Sequence, residues 1–411
     1  MRFEKRVTFK ARAAILMATA ALMATTVVSF GNGASGTVSK TPKTPILIGN
    51  ISGGPLATVP TLSLTEAEGG INAAIKTINA AGGIHGHPLK LVACDDGGNP
   101  NTGAACGRLM VKDKVAAVVG SLSTEGAQFL SILAAAHIPS LGDYAVTTAD
   151  LTCATCFAML SSVSLIAGEG NLAAWAGNTK VSMPYVAGAS GAELPTLAGF
   201  GLAPYGLKIL NQVAVPGLAP DMSSYVAATM AGGTTSVLLG MIASDGARFV
   251  NTAEQLGYTS GITWVGDCTN MGNAITAGFA KDLEGVYGVC FFLPPTYTSN
   301  AAVKAFDKSM KAYNPKAAKV DVSENAWVAT NLFKQVALTL KNVTASNVLK
   351  AMPGITFSSG LLPTISFAKS VSPIPGFEIY NNDVLLTKVH NGVFVPLDGK
   401  FMDPFIKNTL P

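Results

Sequence analysis

The stretch Leu64–Asp96, LTEAEGGINAAIKTINAAGGIHGHPLKLVACDD, decides how the chain is built. Ile71, Ile75 and Ile78 recur at i, i+4 and i+7, which places them on one apolar stripe of an amphipathic helix. Ala81-Gly82-Gly83 ends that helix, because glycine enters the left-handed conformation of a helix C-cap without steric strain. The chain turns at His85-Gly86-His87-Pro88, and Pro88–Cys94 then reads as a compact, buried parallel strand closed by Asp95-Asp96. Helix, glycine stop and strand are parts of one β-α-β unit.

Outward from this unit the alternation continues. Apolar strands are expected at Ile46–Ile51, Leu89–Cys94, Ala116–Gly120, Val181–Val186, Lys208–Val213, Ser236–Met241, Thr263–Val265 and Val286–Phe291. Helical patterns lie near Glu66–Ala80, Gly103–Lys112, Gly126–Ala135, Leu194–Ala203, Ser223–Ala231, Ala247–Leu256 and Ala274–Phe279. Such alternation predicts an α/β fold of parallel sheets covered by helices. About 370 residues follow the N-terminal segment, more than one core normally serves, so two domains are expected. The last third differs. Helices Ala301–Tyr313 and Glu324–Leu340 adjoin, and a short one near Ser346–Met352 follows. Gly376–Pro396 carries hairpin or meander signals at Asn381-Asn382-Asp383 and His390-Asn391-Gly392.

Arg2, Lys5, Arg6, Lys10 and Arg12 precede an apolar run from Ala13 to Phe30, the pattern of an export signal over residues 1–30. The run is also about long enough to span a bilayer, so retention as an anchor is the alternative. Residues 31–44 read as a linker. The net charge of +4 comes from 28 basic and 24 acidic residues. Five of the basic and one of the acidic residues fall within 1–30, so the remainder holds 23 of each and is neutral. The basic pI belongs to the export segment and gives no argument for a nucleic-acid partner. Six cysteines in an exported chain are most simply three disulfides, with fifteen possible connectivities. Neighbourhood in sequence suggests Cys94–Cys106, Cys153–Cys156 and Cys268–Cys290.

In open α/β sheets ligands bind beyond the carboxyl ends of the strands, where loops lead into helix N-termini. Four loops stand there: Gly120–Glu125 with Ser121, Ser123 and Thr124, Gly142–Thr148 with Tyr144 and Thr147, Met241–Asp245, and Gly266–Asn270 with Asp267. Hydroxyls and free backbone N–H groups at such turns favour a carboxylate or another oxygen acceptor. Tyr144 is placed to pack on an apolar ligand, and Asp245 or Asp267 to take a positive group. Signs of catalysis are weak. Gly188-Ala-Ser-Gly-Ala192 lacks the second glycine of a nucleophile elbow, since Ala192 stands where it is required. No Walker loop occurs, the four histidines are scattered, and neither a cofactor nor a metal is called for.

The helix ending Ile78–Gly86, the strand ending Cys94-Asp-Asp96, Asn99-Pro100, Val118-Val-Gly120, Glu254-Gln-Leu-Gly257 and Trp264-Val-Gly266 follow one another in a familiar order. In these the chain resembles the type I periplasmic-binding-protein family, and most of all the branched-chain amino-acid (Leu/Ile/Val) solute-binding proteins of ABC importers. The resemblance implies two Rossmann-like lobes joined by a three-crossover hinge, with a solute held in the cleft between them. Lobe one would be 45–158 plus 294–360, and lobe two 159–293 plus 361–411. The positions matching the α-carboxylate site are Ser123, Thr124, Ala145 and Thr147, and the acid that pairs with the α-ammonium falls near Asp267 or Cys268. The aromatic positions of lobe two are occupied by Ser190 and by Ile242 or Ala243. These departures widen the expected ligand from a branched-chain amino acid to a related carboxylate or amide. The resemblance further implies an extracytoplasmic, monomeric binding protein rather than an enzyme, partnered by a small solute and the importer permease. The alternative is a sensor subunit of the same fold, signalling to a membrane receptor.

Overall fold

The computed structural model describes residues 43–53, 64–258 and 260–408. The expected export signal and all but the end of the linker lie outside the described residues. β1 (Ile46–Gly53), α1 (Leu64–Ala80) and β2 (Leu89–Asp95) make the first β-α-β unit, with β1 and β2 parallel and in register from Ile46↔Leu89 to Ser52↔Asp95. Ile71, Ile75 and Ile78 are buried, and Gly82 and Gly83 stop the helix at φ +99° and +71°. α2 (Pro100–Lys112) starts where the Asn99 side chain accepts the N–H groups of Asn101 and Thr102.

Beyond α2 the strands break in a repeated way. β3 (Val118–Val119) halts at Gly120-Ser121 and resumes as β4 (Leu122–Ser123). After α3 (Gly126–Ala135), β5 (Ser140–Leu141) halts at Gly142-Asp143 and resumes as β6 (Tyr144–Ala145). After α4 (Thr148–Leu151), β7 (Cys156–Phe157) halts at Ala158-Met159 and resumes as β8 (Leu160–Ser161). The first parts form the sheet β2-β1-β3-β5-β7, while β4 turns onto β1 and β6 pairs with β8. The expected strand over Ala116–Gly120 is therefore shortened to its core, because Gly120 leaves the extended region at φ +59°.

α5 (Ser162–Trp175) has no counterpart in the sequence reading. Twelve of its fourteen residues are buried, so it has no polar face and shows no helical period. It leads to a second sheet. β9 (Val181–Val186), α6 (Ala189–Ala192), α7 (Leu194–Leu202), β10 (Ile209–Val215), α8 (Ser223–Met230), β11 (Ser236–Leu238), α9 (Ala243–Gln255), β12 (Thr263–Asp267), α10 (Cys268–Ala274) and β13 (Tyr287–Cys290) follow in chain order. Then come α11 (Ala301–Tyr313), α12 (Asp321–Thr339), α13 (Ala345–Ala351), the hairpin of β14 (Thr356–Phe357) and β15 (Ile365–Ser366), and lastly β16 (Val384–His390) and β17 (Val393–Met402). The second sheet runs β10-β9-β11-β12-β13-β16-β17, parallel as far as β13 and antiparallel beyond it. Both sheets carry helices, as an α/β fold requires.

His390-Asn391-Gly392 does close a hairpin, with Asn391 and Gly392 at φ +51° and +71°. Asn381-Asn382-Asp383 does not. Phe377–Tyr380 forms no strand, and Ile379 only bridges Ala158, because this segment passes from one sheet to the other.

α12 sets the geometry of the strand ends. A Cβ on Gly120 would stand 2.7 Å from the Cα of Ala326, and one on Gly142 would stand 2.7 Å from the Cβ of Ala329. Ala326 and Ala329 are one helical turn apart, so the strand breaks seat the helix directly on the sheet. On the opposite side a Cβ on Gly70 of α1 would meet the Ser323 carbonyl at 2.1 Å. Small residues on both sides hold α12 against the ends of β3 and β5.

Cys94–Cys106, Cys153–Cys156 and Cys268–Cys290 are joined as neighbourhood suggested. The first ties the end of β2 to α2, and the third ties the ends of the paired strands β12 and β13. Replacing Cys94 and Cys106 together by serine is expected to lower stability by about 2–3 kcal/mol through loop entropy. A urea midpoint unchanged from the wild type would contradict this.

Candidate functional site

A small cavity opens where the carboxyl ends of the two sheets face α12. Leu122 of β4, Tyr144 of β6 and Leu160 of β8 line it from the first sheet, Thr269 of α10 and Phe291 beyond β13 from the second, and Asp321, Val322 and Asn325 from α12. Leu122, Leu160, Val322 and Phe291 form an apolar wall, and the Tyr144 ring stands edge-on to Phe291 at 5.3 Å. The other wall is polar. The Thr269 hydroxyl donates to Asp321 at 3.3 Å. Asn325 is 3% exposed, and its Oδ1 has no hydrogen-bond partner.

Around this wall four carboxyl groups gather. Asp267 caps α10, accepting from the Asn270 backbone N–H at 2.7 Å and from the Asn270 side chain at 2.8 Å. Asp321 opens α12, and Glu324 lies one turn further along it. Glu169 comes from the middle of α5. Glu169 and Glu324 are fully buried, and none of their four carboxylate oxygens has a hydrogen-bond partner. Burial raises all four acids, most strongly Glu169 and Glu324, and lifts Asp321 to about 7. The charge of Asp267 adds to the shifts of Glu169 and Asp321, and that of Asp321 to the shift of Glu324. Burial and the charges of Asp267, Asp321 and Glu169 likewise raise the Tyr144 phenol well above its usual range. Among the described residues no lysine, arginine or histidine contributes to any of these shifts. The described residues hold no group of three or more His, Cys, Asp or Glu arranged to bind a metal ion.

The residues singled out from sequence divide between this site and the framework. Tyr144 lines the cavity and Asp267 acts on it. Ser121 Oγ accepts from the Ile51 N–H at 3.2 Å, and Ser123 donates to Asp96 while accepting from the Glu125 N–H. Thr124 donates to Glu125 at 3.4 Å. Ala145 is buried in register with Ser161, and Thr147 caps α4 through a reciprocal pair with Asp150. Ile242 precedes α9, its carbonyl accepting from the Asp245 and Gly246 N–H groups. Asp245 is buried, accepts from the Leu218 N–H at 2.7 Å and pairs with Arg248 at 3.2 Å. Ser190 falls in α6, and its side chain lies outside the described residues. Thr269, Phe291, Asp321, Asn325, Glu169 and Glu324 were not foreseen. Glu169 did carry a signal, being the lone charge in the apolar run Ser162–Trp175.

Two sheets that meet at the carboxyl ends of their parallel strands have the layout of a capture site for a small molecule, here closed down to room for about one water. The family profile described as periplasmic binding protein matches residues 48–379.

The chain belongs to the periplasmic binding protein family.

That family is one of binding proteins rather than enzymes, and it implies an extracytoplasmic location. No helix among the described residues is long and apolar enough to cross a membrane. No curated protein matches the chain in sequence. Solved structures share its fold at low identity. A possible leucine/isoleucine/valine-binding protein from Rhodopirellula baltica is 15% identical with a TM-score of 0.73, over 87% of this chain and 98% of that one. The branched-chain amino acid transporter substrate-binding protein of Streptococcus pneumoniae, in complex with isoleucine, is 18% identical with a TM-score of 0.67, over 86% and 99%. An ABC transporter solute-binding protein from R. palustris, in complex with 4-hydroxybenzoate, is 16% identical with a TM-score of 0.70, over 88% and 98%. The resemblance to type I periplasmic binding proteins noted in the sequence holds for the whole fold.

Proposed function

We propose that this periplasmic binding protein captures a small solute between two lobes and delivers it to the permease of an ABC importer. The observation that carries this reading is the cavity at the strand ends, to which both sheets and α12 contribute lining residues. Each sheet with its helices forms one lobe. The chain passes between the lobes at Met159–Ser161, Phe291–Leu293 and Tyr380–Asp383. We leave the first two passages at the positions expected from the sequence. A third passage at 360 would fall between the paired strands β14 and β15, so we set it at 380–383, where the Asn381 side chain donates to the Met159 carbonyl at 3.3 Å. Leu160 and Phe291 belong to passages and also line the cavity, so rotation about the hinge reshapes the site itself.

Isoleucine and 4-hydroxybenzoate, held by two structural neighbours, mark amino acids and aromatic acids as solutes to screen beside amides and amines. A thermal-shift screen of the mature protein, with mass spectrometry of co-purified solute, tests the reading. At least one solute is expected to raise the melting temperature; no shift and no co-purified solute would overturn it. For the solute so found, Tyr144→Phe is expected to weaken binding about tenfold, the loss of one hydrogen bond, with the melting temperature of the free protein little changed. Equal affinity by calorimetry would remove Tyr144 from the site.

A further inference from the structure

We infer that the solute is a small organic cation, an amine or guanidine without a carboxylate of its own; this rests on the solute-binding reading above. One carboxyl group, Asp321 of α12, lines the cavity, and three more are coupled to it or to Tyr144 by charge: Asp267 at the start of α10, Glu169 from α5 and Glu324 from α12. An acidic cluster can be structural, and three of these acids, Asp267, Asp321 and Glu324, sit at helix N-termini where the helix dipole favours them. Hydrogen bonding separates the two readings. The buried Oδ1 of Asn325, in the cavity wall, accepts no hydrogen bond, and neither do the carboxylate oxygens of Glu169 and Glu324. Buried acceptors without donors are rare in folded proteins and mark the place of a missing donor. The polar lining offers donors at the hydroxyls of Tyr144 and Thr269, and Thr269 already gives its proton to Asp321.

The complement of such a wall is a positively charged group rich in N–H. The apolar wall of Leu122, Leu160, Val322 and Phe291 suits a short alkyl chain attached to it. A carboxylate on the same solute would oppose the ionisation of these acids and would find no basic side chain among the groups acting on the site. Proton linkage follows from the same groups. Asp321 and the Tyr144 phenol line the cavity, Glu169, Asp267 and Glu324 are coupled to them by charge, and all five are raised in the free protein. A bound cation favours their ionised forms, so binding releases protons and affinity rises with pH through about 7.

Calorimetric titration of the mature protein with pentylamine, agmatine, pentanamide, isoleucine and 4-hydroxybenzoate, at pH 6 and pH 8, tests this. Pentylamine or agmatine is expected to bind at pH 8 and at least about fivefold more weakly at pH 6, with proton release seen as buffer-dependent heat. Asp321→Asn is expected to weaken amine binding at least about tenfold and to flatten the pH dependence; Glu324→Gln serves if that variant does not fold. Binding of pentanamide, isoleucine or 4-hydroxybenzoate without the amines would overturn this inference and leave the solute-binding reading standing. Binding of none of the five, with no co-purified solute, would overturn both.

Discussion

At pH 8 the Asp321→Asn variant is expected to be about 3 kcal/mol more stable than the wild type, and this advantage is expected to vanish near pH 4. In the fold Asp321 titrates at about 7, through burial first and the charge of Asp267 second. In the unfolded chain an aspartate titrates near 3.9. The folded value is the raised one, so the fold binds the proton more tightly. The stability this proton confers is fully present below about pH 4 and is lost as pH rises through about 7. About three pKa units correspond to roughly 4 kcal/mol, reduced here because the carboxyl keeps some contact with water in the cleft. Asparagine never ionises, still accepts from Thr269, and escapes that loss. Urea midpoints of both proteins at pH 4, 6 and 8 check the expectation, and a difference independent of pH would contradict it. The same substitution is expected to weaken amine binding, a site group destabilising the free fold for the sake of its ligand.

Gly201→Ala is expected to cost more than about 3 kcal/mol, although it adds a single methyl group. α5 and α7 touch backbone to backbone. A Cβ on Gly201 would lie 1.8 Å from the Ala167 carbonyl oxygen, and one on Gly170 would lie 2.2 Å from the Ala198 carbonyl oxygen. Neither obstacle is a side chain that can rotate away, so the helices must part and the buried α5 loses its packing. Gly199→Ala, on the same helix, is the control. Nothing lies within 4 Å of its Cβ position, so removing a flexible helical glycine is expected to stabilise by about 0.5–1 kcal/mol. Equal melting temperatures for the two variants would refute the close-contact argument.

Much of the fold was legible because its signals are local. The helices at Gly126–Ala135 and Ala301–Tyr313 and the strand Val181–Val186 stand where period and caps put them. α5 was illegible because a helix buried on all sides has no period to read. Asn381-Asn382-Asp383 resembled a hairpin turn because asparagine favours turns wherever the chain bends, while the strand needed before it does not form. Of the residues read from strand-end loops, Tyr144 lines the cavity and Asp267 raises the Tyr144 phenol by its charge. Ser123 and Thr147 matched an amino-acid pattern, yet their hydroxyls serve Asp96 and the cap of α4.

The sequence by itself determined the α/β architecture, the glycine-stopped first unit and the pairing of neighbouring cysteines. Each depends on residues within a few turns of one another. Only the tertiary structure decided what the cleft contains. Glu169, Asp267, Asp321 and Glu324 lie far apart along the chain, and each alone reads as a cap, a helix-dipole partner or an oddity. Three passages between the sheets, and a helix seated on Gly120 and Gly142, bring them into one low-dielectric space. There their charges act on one another, a long-range effect that local pattern does not encode.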